Sequence, residues 1–142
     1  MLHTLSLLLV VLFATGARAE AMDTDAAYAN AHRAFQTARY ATAVDILKVA
    51  IKARPDCARC VHLLGKSYGR LAEQASWFSA VDLARKARNA LEHAVELAPH
   101  NVDAIDDLAR YYREAPAFLG GSSDKARALE QQRQQLGSGA AD

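Results

Sequence analysis

Apolar positions recur along this chain at two periods, one helical and one much longer. Val61, Leu64-Gly65 and Tyr68 are matched by Ile105, Leu108-Ala109 and Tyr112, each 44 residues on. Ala43, Leu47, Ala50 and Pro55 are matched at the same offset by Ala87, Leu91, Ala94 and Pro99. Within each block the apolar residues fall three and four apart and so share one helical face. Pro55 and Pro99 end the helices before them, because proline pushes the preceding residue out of the helical region, and Asp56 and Asn101 stand where an N-cap belongs. The pattern predicts repeated helix pairs over residues 24–57, 58–101 and 102–136. Residues 70–98 hold neither Gly nor Pro, which predicts helix with a break near Ser76 acting as a cap. From there Phe78, Val81, Ala84, Ala87, Leu91, Ala94 and Ala98 share a face. A good first helix to Glu114 is followed by the loop Ala115 to Gly121. A last helix over about Ser123 to Leu136 carries the stripe Ala126, Leu129 and Leu136, with Gln131, Gln132, Gln134 and Gln135 covering the rest as a terminal cap requires. Residues 137–142 read as a disordered tail.

The spacing apolar-x2-Leu-Gly-x2-Tyr, then Ala-x3-large, then Pro, resembles the tetratricopeptide repeat (TPR). Gly65, Ala109, Ala43 and Ala87 are the small residues that let paired helices approach, and larger neighbours fill the gaps. The resemblance implies an all-α fold, a right-handed α-solenoid of about three TPR helical hairpins, with a groove lined chiefly by the first helix of each. Asn30 departs from it, standing where Leu is usual. The second repeat also departs, carrying ten extra residues between Tyr68 and Ala87. Trp77-Phe78 and the stretch Ala115-Pro116-Ala117-Phe118-Leu119-Gly120-Gly121 resemble a TPR variety found in exported bacterial proteins.

The N-terminus has a different character. Leu5 to Ala14 is apolar apart from Ser6 and leads to the small-x-small triplet Ala17-Arg18-Ala19, the form of a cleavable secretory signal peptide over residues 1–19. The run is too short for a membrane span, which needs about 20 apolar residues. The remaining chain is expected in the periplasm or secreted, with no membrane span after cleavage. Composition narrows the class further. Hydrophobic residues make up 51% of the 142 but aromatics only 7%, which disfavours an all-β domain. A net charge of +1 lacks the basic footprint of a duplex-binding protein, so no nucleic acid partner is expected.

Candidate chemistry is sparse. Cys57 and Cys60, three apart at a helix start, can close a disulfide, exchange thiols with a partner, or contribute to a metal site that would still lack a ligand. The helix-helix setting does not suit a redox enzyme, whose motif follows a strand, and a disulfide or idle pair is the expectation. No His pairs a base with a nucleophile in any motif, so neither an enzyme nor a cofactor or metal site is expected. Gly120-Gly121-Ser122-Ser123 reads as loop and cap.

In the groove that the resemblance implies, His62, Lys66 and Arg70 lie four apart on one helix face with Arg59 extending the row. Arg110 and Arg113 follow on the next repeat, and Tyr28, His32 and Phe35 form an aromatic wall on the first. A basic centre with an aromatic wall suits an acidic peptide or a terminal carboxylate, and a solvated charged helix face is the equal alternative. The carboxylate clamp of chaperone-binding TPR domains is not reproduced: Asp103 and Asp107 stand where it uses basic residues, and Leu63 where it uses Asn. Trp77 and Phe78 are expected to pack in the core, with partner anchoring by Trp77 as the alternative. The expected function is an exported TPR scaffold or adaptor in cell-envelope assembly, binding a protein or peptide segment, with homo-oligomerisation or docking on a larger complex suggested by so short an array. Two other classes stay open, a thiol-active accessory protein using Cys57 and Cys60, and a small-ligand-binding subunit of a transport system.

Overall fold

The computed structural model describes residues 13–139, with side chains from residue 23 onward. Six α-helices follow one another: α1 (Phe13–Gln36), α2 (Tyr40–Ala53), α3 (Ala58–Gln74), α4 (Trp77–Leu97), α5 (Val102–Glu114) and α6 (Ser123–Ser138), with a 3-10 turn at Ala117–Leu119. No strand occurs among the described residues. The apolar run read as an export signal lies outside the described residues up to residue 12, and residues 13–19 are the opening turns of α1. At the other end α6 runs to Ser138, past the expected boundary at Leu136, and residues 140–142 lie outside the described residues.

The helices pack as three hairpins, α1 with α2, α3 with α4 and α5 with α6, and each hairpin packs on the next through α2 against α3 and α4 against α5. The residues of the 44-residue pattern form the core. Ala43, Leu47, Ala50, Val61, Ala87, Leu91, Ala94, Ile105, Leu108, Ala109 and Tyr112 are all buried. One cluster joins Ala31, Leu47, Cys57, Cys60 and Leu63 beneath the first two hairpins, and a second joins Leu91, Leu108, Tyr112 and Ala126 beneath the last two. The prolines act as expected, since α2 and α4 each stop two residues before one.

The caps divide. Asn101 accepts a hydrogen bond from the Ala104 N–H at 3.2 Å, and Ser122 accepts one from the Lys125 N–H at 3.3 Å, each satisfying an orphan donor of the helix it starts. Asp56 does not cap α3. The N-cap position falls to Cys57, and the Asp56 carboxylate instead sits 3.9 Å from Arg54. Ser76 does mark the break between α3 and α4, although its side chain makes no capping bond.

The expected core placement of Trp77 and Phe78 is overturned, because they are 67% and 87% exposed. They stand in the opening turn of α4, which packs chiefly on α3 and less extensively on α5, and burial on α4 begins only further along the helix. The buried stripe of α4 accordingly comprises Ala87, Leu91 and Ala94. Beyond α5, Gly120 takes φ +88° at the end of the 3-10 turn, and a Cβ at Gly121 would lie 1.7 Å from the Ala115 carbonyl oxygen, so both glycines are required by the turn.

Two glycines of α3 set a test of the packing. A Cβ at Gly65 would lie 2.9 Å from Leu91 Cγ and 3.1 Å from the Leu91 backbone N, whereas one at Gly69 would meet nothing within 4 Å. Gly65→Ala should destabilise by about 1–3 kcal/mol through overpacking, while Gly69→Ala should stabilise by about 0.5–1 kcal/mol through backbone entropy alone. Urea denaturation of the two variants checks both signs.

Candidate peptide groove

The cationic row of α3 is the centre of the site, and its neighbours on both sides are now visible. Toward the first hairpin it lies over aromatic rings. The Arg59 guanidinium is 4.5 Å from the Tyr28 ring centre, Lys66 Nζ is 5.6 Å from that of Phe35, and the Arg70 guanidinium is 5.6 Å from that of Tyr40. Such contacts contribute about 0.5–1 kcal/mol each at exposed sites. Toward the third hairpin the row meets Asp107 of α5. His62 Nε2 lies 2.7 Å and Lys66 Nζ 3.8 Å from the same carboxylate oxygen, and Arg110 pairs with the other.

The Asp107 side chain is only 12% exposed. Burial alone would push its carboxyl pKa up. The hydrogen bond to His62 and the charges of Lys66, His62 and Arg110 together outweigh burial and hold it below the usual carboxylate value. The other cations are also engaged: Arg59 pairs with Asp25, Arg113 with Glu130, and Arg70 with Glu73 at 2.7 Å. Arg70 Nε also donates to the Tyr40 hydroxyl at 3.3 Å. The row expected to offer free positive charge is thus neutralised within the chain, and it joins the second hairpin to the other two.

Open space adjoins this row in three neighbouring parts. A cavity of about 430 Å³ lies between Tyr28, His32 and Phe35 on one side and Asp103, Asp106 and Asp107 on the other. Across the Lys66–Asp107 contact lies a second, of about 330 Å³, over Gly65, Gly69 and Tyr111. A third, of about 220 Å³, is an apolar recess lined by Ala72, Ala84, Ala87, Pro116 and Leu119, and it shares Gly69, Glu73, Tyr111 and Glu114 with the second. Together they form one trench along the first helices. Its charged lining comprises five acids (Glu73, Asp103, Asp106, Asp107 and Glu114) and three permanent cations (Lys66, Arg70 and Arg110). Asp106 is held by Arg133 of α6 at 2.8 Å. Asp103 and Glu114 make no ion pair among the described residues.

Of the residues singled out from the sequence, Tyr28, His32, His62, Lys66, Arg70 and Arg110 line the trench, whereas Arg59 and Arg113 line none of its three parts. Trp77 stands outside it with its ring 6.0 Å from that of Phe118. Cys57 and Cys60 are joined, with their sulfurs 1.99 Å apart, and are buried in the first core cluster. Sequence reasoning missed the intramolecular role of Asp107. The signal was available as a run of carboxylates at 103, 106 and 107, one repeat beyond a run of cations.

Three stacked helical hairpins with a trench along their first helices define a helical-repeat scaffold of the TPR kind. Among solved structures the chain is similar to a human IFIT1 dimer with PPP-AAAA, a TPR-containing helical-repeat protein, with a TM-score of 0.64 and 25% sequence identity over 80% of this chain. It spans 25% of the length of that chain. No protein-family model matches the sequence, and no curated protein matches it.

Asp107 supplies a pH test. Its folded-state pKa is lowered, so its contribution to stability is present above the unfolded-state pKa of about 3.9 and is lost as pH falls through the folded value. Asp107→Asn should cost about 1–3 kcal/mol at pH 7. The gap between variant and parent should close as the pH is taken below about 4. Thermal denaturation across pH 2–7 checks this.

Proposed function

We propose that this chain is an exported adaptor of the bacterial TPR type, periplasmic or secreted after removal of residues 1–19, which holds a protein segment in the trench during cell-envelope assembly. The observation that carries the reading is the trench itself, a row of three adjacent cavities that share lining residues. Open cavities set side by side suit a segment of chain better than a small ligand, which is ordinarily held in an enclosed, mostly apolar cavity. An anionic strand would meet five carboxylates against three cations, which favours a protein over a nucleic acid. In this reading the protein is not an enzyme. Docking on a larger complex, or self-association, supplements a short array. The competing thiol reading has less support, since Cys57 and Cys60 are bridged and buried.

Gly69 gives the direct test, because it lines both the middle cavity and the recess and a side chain there meets open space. Gly69→Trp should fold as the parent does yet lose partner capture from envelope extract by about tenfold or more, while Gly69→Ala retains it. Equal capture by both variants would place binding elsewhere. The cysteines are tested separately. Cys57→Ala combined with Cys60→Ala should cost about 2 kcal/mol, the value expected for so short a closed loop, and leave capture intact wherever the variant is folded. Loss of capture by a folded double variant would favour the thiol reading.

A further inference from the structure

We infer that the trench selects a basic segment, one with a large apolar side chain next to a Lys or Arg, the apolar group entering the recess and the cation meeting Glu114. This rests on the groove reading above and adds the chemistry of the partner. The charges decide its sign. All three cations of the lining already have an acid: Lys66 and Arg110 share Asp107, and Arg70 holds Glu73. An acidic ligand would compete for Lys66 and Arg110 with Asp107, a carboxylate only 12% exposed whose charge they compensate. A basic ligand displaces nothing. It meets Asp103 and Glu114, the two acids of the lining that make no ion pair among the described residues.

The geometry fixes which groups are adjacent. Glu114 lines both the middle cavity and the apolar recess, so a cation held there has Ala72, Ala84, Pro116 and Leu119 beside it. The apolar wall continues outward. Phe118 and Trp77, 57% and 67% exposed with rings 6.0 Å apart, stand next to Leu119 at the same end. Asp103 lines the first cavity and Glu114 the junction of the middle cavity and the recess, on one helix and eleven residues apart. At 1.5 Å of rise per residue they are separated by about 16 Å along the axis. An extended segment covers that distance in about five residues. The segment is therefore an apolar residue beside one cation, with a second cation about five positions away.

The experiment is selection of a random 12-residue peptide library on the expressed chain, followed by affinity measurements of the enriched peptides against variants. The expected result is enrichment of Lys or Arg beside Leu, Ile, Phe or Met. Those peptides should bind Glu114→Gln about tenfold more weakly and Glu114→Lys more weakly still. Asp103→Asn should lower affinity only for peptides with the second cation, and Lys48→Gln, on the exposed face of α2, should change nothing. Circular dichroism confirms that each variant is folded. Enrichment of acidic peptides, or basic ones indifferent to Glu114, would overturn the inference. If such peptides are still lost on Gly69→Trp, the groove reading stands without it. If Gly69→Trp has no effect on what is enriched, or nothing is enriched, both fall.

Discussion

The carboxylate of Asp107 is the point on which the second and third hairpins agree. It is 12% exposed and receives His62 and Lys66 from α3 and Arg110 from its own helix. A buried anion with one partner is a poor source of stability, because desolvation offsets the attraction. With three partners it specifies an arrangement, since any slip of α5 along α3 leaves charges uncompensated. Its effect reaches past stability. By engaging Lys66 and Arg110, it leaves Asp103 and Glu114 as the acids of the lining that make no ion pair among the described residues.

The same helix shows how local sequence divides labour between packing and binding. Gly65 and Gly69 are one helical turn apart on α3, yet the first is closed over by Leu91 and the second faces open space. Close approach at Gly65 is what lets α3 and α4 pack as the most extensively paired helices of the stack. Gly69, with open space where a Cβ would stand, lines both the middle cavity and the recess. Cys57 and Cys60, bridged to each other at the start of α3, are buried in the cluster that includes Leu47 and Leu63. The helix that carries the cationic row is thus held at its start, along its length and through its charges.

The fold was legible because a 44-residue repeat of small and large apolar positions states which faces are buried, and all of Leu47, Leu91, Ile105 and Leu108 proved so. The site was legible only in part. Periodicity places His62, Lys66 and Arg70 on one face but is silent about what lies opposite, and opposite lay Asp107 and three aromatic rings. Trp77 and Phe78 failed for a related reason. Phe78 falls on the apolar stripe read from the sequence, whereas burial depends on which neighbouring helix covers a given turn, and the buried residues of α4 begin at Ala87. Asp56 lost its cap to chain geometry, since α3 starts one residue later than its position implied.

The claim that the cationic row serves to join hairpins is tested most directly by a double-mutant cycle between residues on different hairpins. The stabilities of His62→Ala, Asp107→Asn and the double variant, measured by urea denaturation at neutral pH, give the coupling free of each residue's other contacts. The account predicts a favourable coupling of about 1 kcal/mol or more across the 2.7 Å contact. Additive costs, with a coupling indistinguishable from zero, would contradict it and return the row to the solvent as a free surface.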